Sequence, residues 1–391
     1  MVYDFDRVVS RKNTQSSKWD NVGPRVGNRD ALPMWVADTD FPCPQPVVDA
    51  VARRARHPIY GYTYVVPEFY TATVNWIKKR HGWQLDPEWI IFATGVVPVV
   101  NTMIQAFSEP GDEIIIQGPV YHPFGHAIRD NNRVISYNSL VYRDGRYCID
   151  FDDLEQRAKS PRAKLFVLCN PHNPVGRAWR EEELRRMAEI CLNNSVIMVS
   201  DEIHSDLMLF KNRHIPVASL DDRFRENTVT CYAPSKTFNT AGLRGSGIVV
   251  PNGEIRKKLE ARFKSNRSIQ QNAFALPAYV AAYEECEDYL EQLLPYLEGN
   301  AQLLDSYLRE NLPRIRLVPP EATFLMWLDC TGLGMRDDAL ADFFINRCKV
   351  AVSRGDGFGP QGADFVRLNI GCPRSTLLRA LEQIREQYAL L

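Results

Sequence analysis

Short runs of apolar residues alternate along the chain with longer stretches in which apolar residues recur every three or four positions. The short runs have the continuous apolar character of strands buried on both faces, whereas the longer stretches are typical of amphipathic helices such as VPVVNTMIQAFSEPG and REEELRRMAEICLNN. This alternation predicts an α/β domain with a largely parallel sheet. The predicted strands are WIIFATG (89–95), DEIIIQGP (112–119), AKLFVLCN (163–170), SVIMVSDE (195–202), TVTCYAPS (228–235) and SGIVV (246–250).

The pattern changes after about residue 285. A long helical stretch, DYLEQLLPYLEGNAQLLDSYLREN, is followed by two short strand candidates, FLMWLD and FVRLNIG, and by the helix STLLRALEQIREQYALL. We expect these elements to form a second, smaller α+β domain. The predicted large domain spans residues 47–285, and the predicted small domain combines residues 1–46 with 286–391.

Composition excludes several classes of partner. A chain of 391 residues, 45% of them hydrophobic, can bury a large core, and its 47 Lys and Arg against 48 Asp and Glu leave a net charge of −1. A protein without excess positive charge is poorly suited to nucleic acid. No apolar run approaches bilayer length, the N-terminus has no secretory pattern, and the nine scattered cysteines form no C-x-x-C pair. We therefore expect a cytoplasmic protein with reduced thiols, no metal site and no membrane partner.

Polar and aromatic residues follow five successive predicted strands. Ligands of open α/β sheets bind outside the carboxyl ends of the strands. One polar loop needs no functional explanation, but five loops with complementary chemistry at one edge predict a binding site. These loops contribute Thr94 and Gly95, Tyr121, Asn173, Asp201, and Lys236.

The chemistry of these residues predicts one cofactor. Lys236 lies in a turn of small residues, and a crowded lysine with a lowered pKa is a nucleophile that can form a Schiff base. A buried carboxylate such as Asp201 requires a cation, and a protonated pyridine nitrogen would supply one.

Thr94 and Gly95 precede a helix predicted to start near Val96, and they offer backbone N–H groups and a hydroxyl to a phosphate. Ser235 and Arg244 would complete the anion site, and Val96 and Val97 of the first helical turn are also predicted to bind the cofactor. Lysine, acid, aromatic ring and phosphate site together predict pyridoxal 5′-phosphate (PLP).

Several motifs resemble those of a known family. SKTFNTAGLRGSG, NPHNPVG and SDEIHSDL resemble motifs of fold type I aminotransferases, the class I/II superfamily. YDFDRVVSRKNTQSSKWD, LPMWVADTDFPCP, GPVYHPF, APSKTFNTAGL and VRLNIGCP are similar to the MalY/PatB branch, the cystathionine β-lyase-like carbon–sulfur lyases that include cystalysin. The resemblance covers essentially the whole chain. It implies the type I fold of PLP-dependent transferases, with a mostly parallel seven-stranded sheet in the large domain and a smaller α+β domain.

The resemblance also implies roles for individual residues around the cofactor. Lys236 would bind the cofactor covalently and then move the proton of the substrate Cα, and Asp201 would pair with the pyridine nitrogen, although it could instead cap the following segment. Asn173 would donate to the O3′ oxygen, with a turn-forming role as its alternative. Tyr121 would stack on the ring or belong to the ordinary core. His204 stands where aminotransferases commonly have tyrosine, and a core or capping histidine is an equal alternative.

Two further residues are assigned to the substrate and to a second subunit. Arg367 would bind the substrate α-carboxylate, which a guanidinium fork suits, with Asn173 and Tyr121 beside it. Its alternative is a surface salt bridge. Tyr62, in YGYT, would reach the phosphate of the neighbouring subunit. The resemblance thus implies a homodimer with a shared active site.

The implied reaction is α,β-elimination from a small sulfur-containing amino acid of the L-cystathionine or L-cysteine type, which gives pyruvate, ammonia and a thiol. Three positions depart from the expected pattern: Ala233 replaces a serine of many aminotransferases, Ala322 replaces an expected glycine, and Arg244 fits the aminotransferases better than the lyases. A class I/II aminotransferase is therefore the first alternative. A regulatory protein that uses the same fold is the second.

Overall fold

The computed structural model describes all 391 residues. Two sheets with flanking helices account for most of the chain, and two strand pairs complete it. The strands are β1 (Leu32–Pro33), β2 (Ile90–Ala93), β3 (Glu113–Ile116), β4 (Val134–Tyr137), β5 (Val141–Arg143), β6 (Arg146–Cys148), β7 (Ala163–Cys169), β8 (Ile197–Asp201), β9 (Thr228–Tyr232), β10 (Ser246–Val249), β11 (Arg316–Leu317), β12 (Leu325–Asp329), β13 (Val350–Ala351), β14 (Ser353–Arg354) and β15 (Phe365–Asn369). The helices are α1 (Val22–Val26), α2 (Gln45–Arg56), α3 (Pro67–His81), α4 (Val96–Phe107), α5 (His122–Asp130), α6 (Phe151–Ala158), α7 (Glu181–Asn193), α8 (Asp222–Glu226), α9 (Gly253–Asn266), α10 (Ala275–Glu285), α11 (Glu287–Asn311), α12 (Asp337–Asp342) and α13 (Arg374–Tyr388).

The larger sheet has seven strands in the order β2-β10-β9-β8-β7-β3-β4. Strand β10 runs antiparallel to both of its neighbours, and the other neighbouring strands run parallel. This arrangement confirms the predicted α/β fold with a mostly parallel seven-stranded sheet.

The apolar runs of the central strands are continuous because both faces of the sheet are covered. In β3, Ile114 and Ile116 belong to one apolar cluster, and Ile115 belongs to the cluster on the opposite face. Leu165 and Phe166 of β7 divide in the same way. Side chains of a strand alternate between faces, so burial on both sides requires an apolar residue at every position.

Strand β4 is absent from the apolar pattern because it lies at the edge of the sheet. Its first residue, Val134, is 49% exposed, and only Ser136 of its four residues is buried. An edge strand that is open to solvent does not need a continuous apolar run.

The smaller sheet is antiparallel, with the order β11-β12-β15-β14, and helices α11 and α13 pack against each other beside it. Strand β1 pairs in parallel with β13 and so ties the N-terminal segment to the C-terminal part of the chain. The division into residues 47–285 and residues 1–46 with 286–391 stays a prediction. No helix has the length and apolar character that crossing a membrane requires.

Candidate active site

A cavity of about 500 Å³ opens beyond the carboxyl ends of β2, β3, β7, β8 and β9. It lies at the edge of the sheet where the sequence predicts a binding site. Eleven of the predicted residues line it together: Thr94, Gly95, Val96, Val97, Tyr121, Asn173, Asp201, His204, Ser235, Lys236 and Arg244.

Lys236 points its amine at a backbone carbonyl across the cavity. The Nζ atom donates to the Ala37 carbonyl oxygen at 2.6 Å, and the neighbouring Thr237 hydroxyl fixes the turn by donating to the buried Asp206 carboxylate at 2.9 Å. Burial lowers the pKa of Lys236 to about 8, and the nearby Arg367 charge acts in the same direction. A substantial fraction of this lysine is therefore neutral, and nucleophilic, at moderately alkaline pH.

Asp201 is a buried carboxylate without a cationic partner in the protein. It ends β8, and its only hydrogen bond comes from the Ile203 amide to Oδ1 at 3.2 Å. The capping alternative predicts a local hydrogen bond of this kind. The bond nevertheless leaves the negative charge of Asp201 without a cationic partner. Burial raises the pKa of Asp201 to about 7, although the Lys236 charge opposes this shift. A cation placed in the cavity beside Asp201 would stabilise the ionised form.

The N-terminus of α4 forms one end of the cavity. Gly95 caps the helix with φ 145° and ψ 165°, a backbone conformation that favours glycine, and no side chain caps the first turn. Ser235 and Arg244 line the same cavity, and the Arg244 guanidinium makes neither a hydrogen bond nor a salt bridge. Free amides, a hydroxyl and an unpaired guanidinium together suit a phosphate.

Arg367 is buried beside this cavity, with 4% of its surface exposed, and no carboxylate of the protein pairs with it. Its Nη1 donates to Asn173 Oδ1 at 2.9 Å, and its Nη2 donates to the Trp35 carbonyl at 2.9 Å and to Ser353 Oγ at 3.0 Å. The Phe358 ring lies 4.8 Å from Cζ. This environment is not the surface salt bridge considered as an alternative. Burial lowers the pKa of Arg367 to about 10, so the group stays cationic at neutral pH and suits an anionic ligand.

Tyr121 and His204 line the cavity between these charged groups. Tyr121 stands just before α5, and its amide donates to the Asn173 carbonyl at 3.1 Å. Burial holds the pKa of Tyr121 above its usual range, so the phenol remains protonated. Burial and the Lys236 charge hold the pKa of His204 well below its usual range. His204 is therefore a neutral imidazole, and its Nδ1 has no hydrogen-bond partner.

Tyr62 is the predicted site residue that a single chain does not bring to the cavity. It is fully exposed, in a segment without helix or strand between α2 and α3. Ile59, Tyr60 and Tyr64 of the same segment are also exposed. A role for Tyr62 in the site of a second subunit stays a prediction.

Sequence reasoning did not identify several groups that hold the site together. The Ala37 carbonyl accepts from Lys236, and the Trp35 carbonyl and Ser353 hydroxyl accept from Arg367. Two of these acceptors are backbone atoms, for which residue type gives no signal. The remaining lining residues that the sequence did not indicate are Ala37, Pro98, Cys169, Ile203, Ala241, Gly245 and Ser246.

Comparison with known proteins identifies the family. Residues 36–384 match the sequence model of the family described as aminotransferase class I and II. The chain belongs to this family. It is 44% identical to the cystathionine β-lyase PatB of Bacillus subtilis (strain 168), over 98% of this chain and 99% of that protein.

Two solved structures have nearly the same fold. Cystalysin from Treponema denticola, which contains PLP, superposes with a TM-score of 0.95 at 34% identity, over 99% of each chain. A PLP-bound candidate aminotransferase from Clostridium difficile 630 superposes with a TM-score of 0.97 at 41% identity, over 99% of this chain and 100% of that one. These relatives confirm the resemblance to the MalY/PatB-type carbon–sulfur lyases.

Proposed function

We propose that the protein is a PLP-dependent carbon–sulfur β-lyase that acts on small sulfur-containing L-amino acids such as L-cystathionine and L-cysteine. The observation that carries this proposal is the 44% identity to a cystathionine β-lyase over 98% of the chain. The site supports it, because a lysine, an unmatched carboxylate and an anion site line one cavity at the carboxyl ends of the strands.

The residues present fit the proposed cofactor. The unpaired Asp201 carboxylate would hold the pyridine nitrogen in its protonated form, and Tyr121 would lie against the ring. Asn173 and the neutral His204 offer polar groups to its substituents. The phosphate would occupy the N-terminus of α4, within reach of the Ser235 hydroxyl and the Arg244 guanidinium. Lys236 would provide the covalent attachment.

The reaction requires a proton to leave Cα and a thiolate to leave Cβ. When bound, PLP supplies the electron sink that stabilises negative charge at Cα. Arg367 holds the substrate α-carboxylate through its guanidinium, which has no protein carboxylate to compete for it. The Lys236 amine, with its pKa lowered to about 8, takes the proton from Cα. The C–S bond then breaks with its electron pair on sulfur, and one water converts the remaining three carbons and nitrogen to pyruvate and ammonia.

The alternative activity is that of an aminotransferase. The similarity to the C. difficile candidate aminotransferase supports it, whereas Arg244 matches the aminotransferase pattern without deciding between the two activities. Both activities begin with the loss of the Cα proton. In the lyase, a thiolate then leaves Cβ. In the aminotransferase, a proton is instead added at an atom other than Cα. A phosphate ligand such as Arg244 serves either path, because it binds ground state and transition state alike.

A product assay separates the two activities. We expect L-cystathionine or L-cysteine alone, without a 2-oxo acid, to give pyruvate and ammonia in equal amounts over many turnovers. A thiolate at Cβ is a good leaving group, so its loss competes with reprotonation once Cα is deprotonated. L-Alanine, which has no leaving group at Cβ, is the control and should give no sustained turnover.

A requirement for a 2-oxo acid would contradict the lyase proposal and support the aminotransferase alternative. In that case product formation stops after about one equivalent per site and resumes only when a 2-oxo acid is supplied. A protein that binds the cofactor but converts neither substrate under either condition would instead favour the regulatory alternative.

We further propose that the active enzyme is a homodimer in which Tyr62 of one subunit completes the site of the other. The exposure of Tyr62 and of the neighbouring Ile59, Tyr60 and Tyr64 supports this proposal, because a contiguous exposed apolar patch is typical of an interaction surface.

Mixing two variants, each defective in one of the two contributed residues, tests the shared site. Tyr62→Phe and Lys236→Ala subunits, exchanged with each other, form heterodimers with one fully native site and one doubly altered site. We expect the mixture to be more active than the mean of its two parents, because each heterodimer contains one fully native site. Each parent taken separately through the same exchange is the control. A mixture no more active than its parents would show that Tyr62 does not act across a subunit boundary.

A further inference from the structure

Four consecutive backbone carbonyls beside the active site alternate between two sets of partners. They belong to residues 35–38, which we name the acceptor segment. The Trp35 carbonyl accepts from Arg367 Nη2 at 2.9 Å, and the Ala37 carbonyl accepts from Lys236 Nζ at 2.6 Å. The acceptor segment therefore contacts both of the basic groups that the proposed reaction uses.

The other two carbonyls of the acceptor segment are held by one side chain. The Nδ2 atom of Asn369 donates to the Val36 carbonyl at 2.5 Å and to the Asp38 carbonyl at 2.7 Å. Its Oδ1 atom accepts from the Gly371 amide at 2.7 Å, which fixes the orientation of the side-chain amide. Asn369 is fully buried. Only Asn and Gln supply two such donors and an acceptor without a charge.

Asn369 lies on the strand that also carries Arg367. Both belong to β15 and are two residues apart, so their side chains project from the same face of the sheet. The backbone amide of Asn369 also donates to the Met34 carbonyl at 2.9 Å, just before the acceptor segment. One side chain of this face thus reaches the site, and the next one holds the backbone that the first contacts.

The Ala37 carbonyl makes the only hydrogen bond of Lys236 Nζ within the protein. An amine that has taken up a proton is an ammonium, and a carbonyl acceptor stabilises this charged form. Burial lowers the pKa of Lys236. The charges of Asp38 and Asp201 oppose this shift, and the charge of Arg367 adds to it. The position of the acceptor segment therefore affects both the direction of the amine and its proton affinity.

We propose that Asn369 is a positioning residue for the active site. By fixing the acceptor segment, it directs one backbone carbonyl to Arg367 and another to Lys236, although its own side chain contacts neither of them. Loss of this side chain changes both basic groups together, which loss of a purely structural residue does not do. The roles of Lys236 and Arg367 in turnover rest on the proposed function.

Asn300 provides a matched control for the effect on stability. It is also fully buried, and its Nδ2 donates to two backbone carbonyls, those of Ile370 at 3.1 Å and Cys372 at 3.0 Å. Neither carbonyl belongs to the acceptor segment. Asn369→Ala and Asn300→Ala each leave two carbonyls without this donor, so we expect both variants to have a lower melting temperature. Only Asn369→Ala should change the site.

The proton affinity of Lys236 is the first measurement. Acetic anhydride reacts with the neutral form of an amine. The pH dependence of acetylation of Lys236 in the cofactor-free protein, followed by mass spectrometry, therefore reports its acid dissociation constant. We expect this constant to rise about tenfold in Asn369→Ala, because a hydrogen bond to the charged form is lost. Asn300→Ala should match the wild type, and the exposed Lys257 is the internal reference.

Binding of 2-methylalanine to the holoenzyme is the second measurement. This amino acid has no hydrogen on Cα, so it binds without entering either reaction. Its dissociation constant, measured by absorbance titration, should rise about fivefold in Asn369→Ala, because the Arg367 guanidinium loses one of its three hydrogen-bonded contacts. Asn300→Ala should match the wild type. Neither measurement requires C–S cleavage, so both remain decisive if the lyase proposal fails.

Shifts of both constants in Asn369→Ala but not in Asn300→Ala would support the positioning role. The absence of either shift in a folded Asn369→Ala protein, or equal shifts in both variants, would overturn it. If Asn369→Ala does not fold, Asn369→Ser takes its place under the same criteria. Its hydroxyl has a single donor and can serve only one of the two carbonyls.

Discussion

Lys236→Ala is expected to abolish turnover, with a loss of at least about 10³-fold in kcat. The expected size follows from the two tasks assigned to this amine, since general base catalysis alone contributes about 10²- to 10⁴-fold and the covalent attachment is lost as well. The structure supplies no substitute, because no other lysine lines the cavity. Steady-state pyruvate formation measures the loss.

Chemical labelling distinguishes loss of the amine from loss of the fold. Borohydride treatment of the wild-type holoenzyme should fix the cofactor on a peptide that contains Lys236, and Lys236→Ala should give no labelled peptide. Lys257→Ala, at an exposed position of α9, is the matched control and should be labelled and active like the wild type. Labelling at a different lysine would refute the assignment of Lys236.

The sequence predicted the parts of the site that depend on strand ends. Lys236 and Asp201 follow continuous apolar runs, and in a parallel sheet the carboxyl ends of neighbouring strands meet at one edge. Their proximity could therefore be predicted without a structure. The same argument fails for Arg367, which lies within β15 of the smaller sheet. Its assignment came from the family resemblance, because no apolar pattern relates one sheet to the other.

The apolar pattern of the sequence could not predict the backbone hydrogen-bond acceptors or the edge strand β4, and the reasons are physical. The Ala37 and Trp35 carbonyls accept hydrogen bonds from Lys236 and Arg367. Any residue type at these two positions would provide the same backbone acceptor. Strand β4 is open to solvent and needs no apolar run. The contribution proposed for Tyr62 would come from a second subunit, and the apolar pattern of one chain does not specify contacts between subunits.

Asp201→Asn is expected to lower kcat/KM by about 10²- to 10³-fold while it stabilises the protein without its cofactor. The loss of activity follows from the pairing proposed for the pyridine nitrogen, since removing one member of a buried ion pair costs about 3–5 kcal/mol. Asparagine has nearly the same shape but no charge. The variant should also retain PLP less well, which dialysis and absorbance measure.

The gain in stability follows from the raised pKa of Asp201. The pKa of this carboxyl is about 7 in the folded protein, against 3.8 for the ordinary group, so the folded state holds a proton that the unfolded state has lost between these values. Folding therefore becomes less favourable as the pH rises from about 4 to about 7, and the full cost is present above pH 7. Asparagine has no such cost.

The melting temperature of the cofactor-free variant should exceed that of the cofactor-free wild type by several degrees at pH 8.5, and the difference should be smaller at pH 5. Asp342→Asn, at an exposed carboxylate, is the control and should show no comparable gain. A cofactor-free Asp201→Asn protein that melts below the wild type at pH 8.5 would mean that Asp201 is not an unmatched buried charge, and the pairing proposed for it would lose its physical basis.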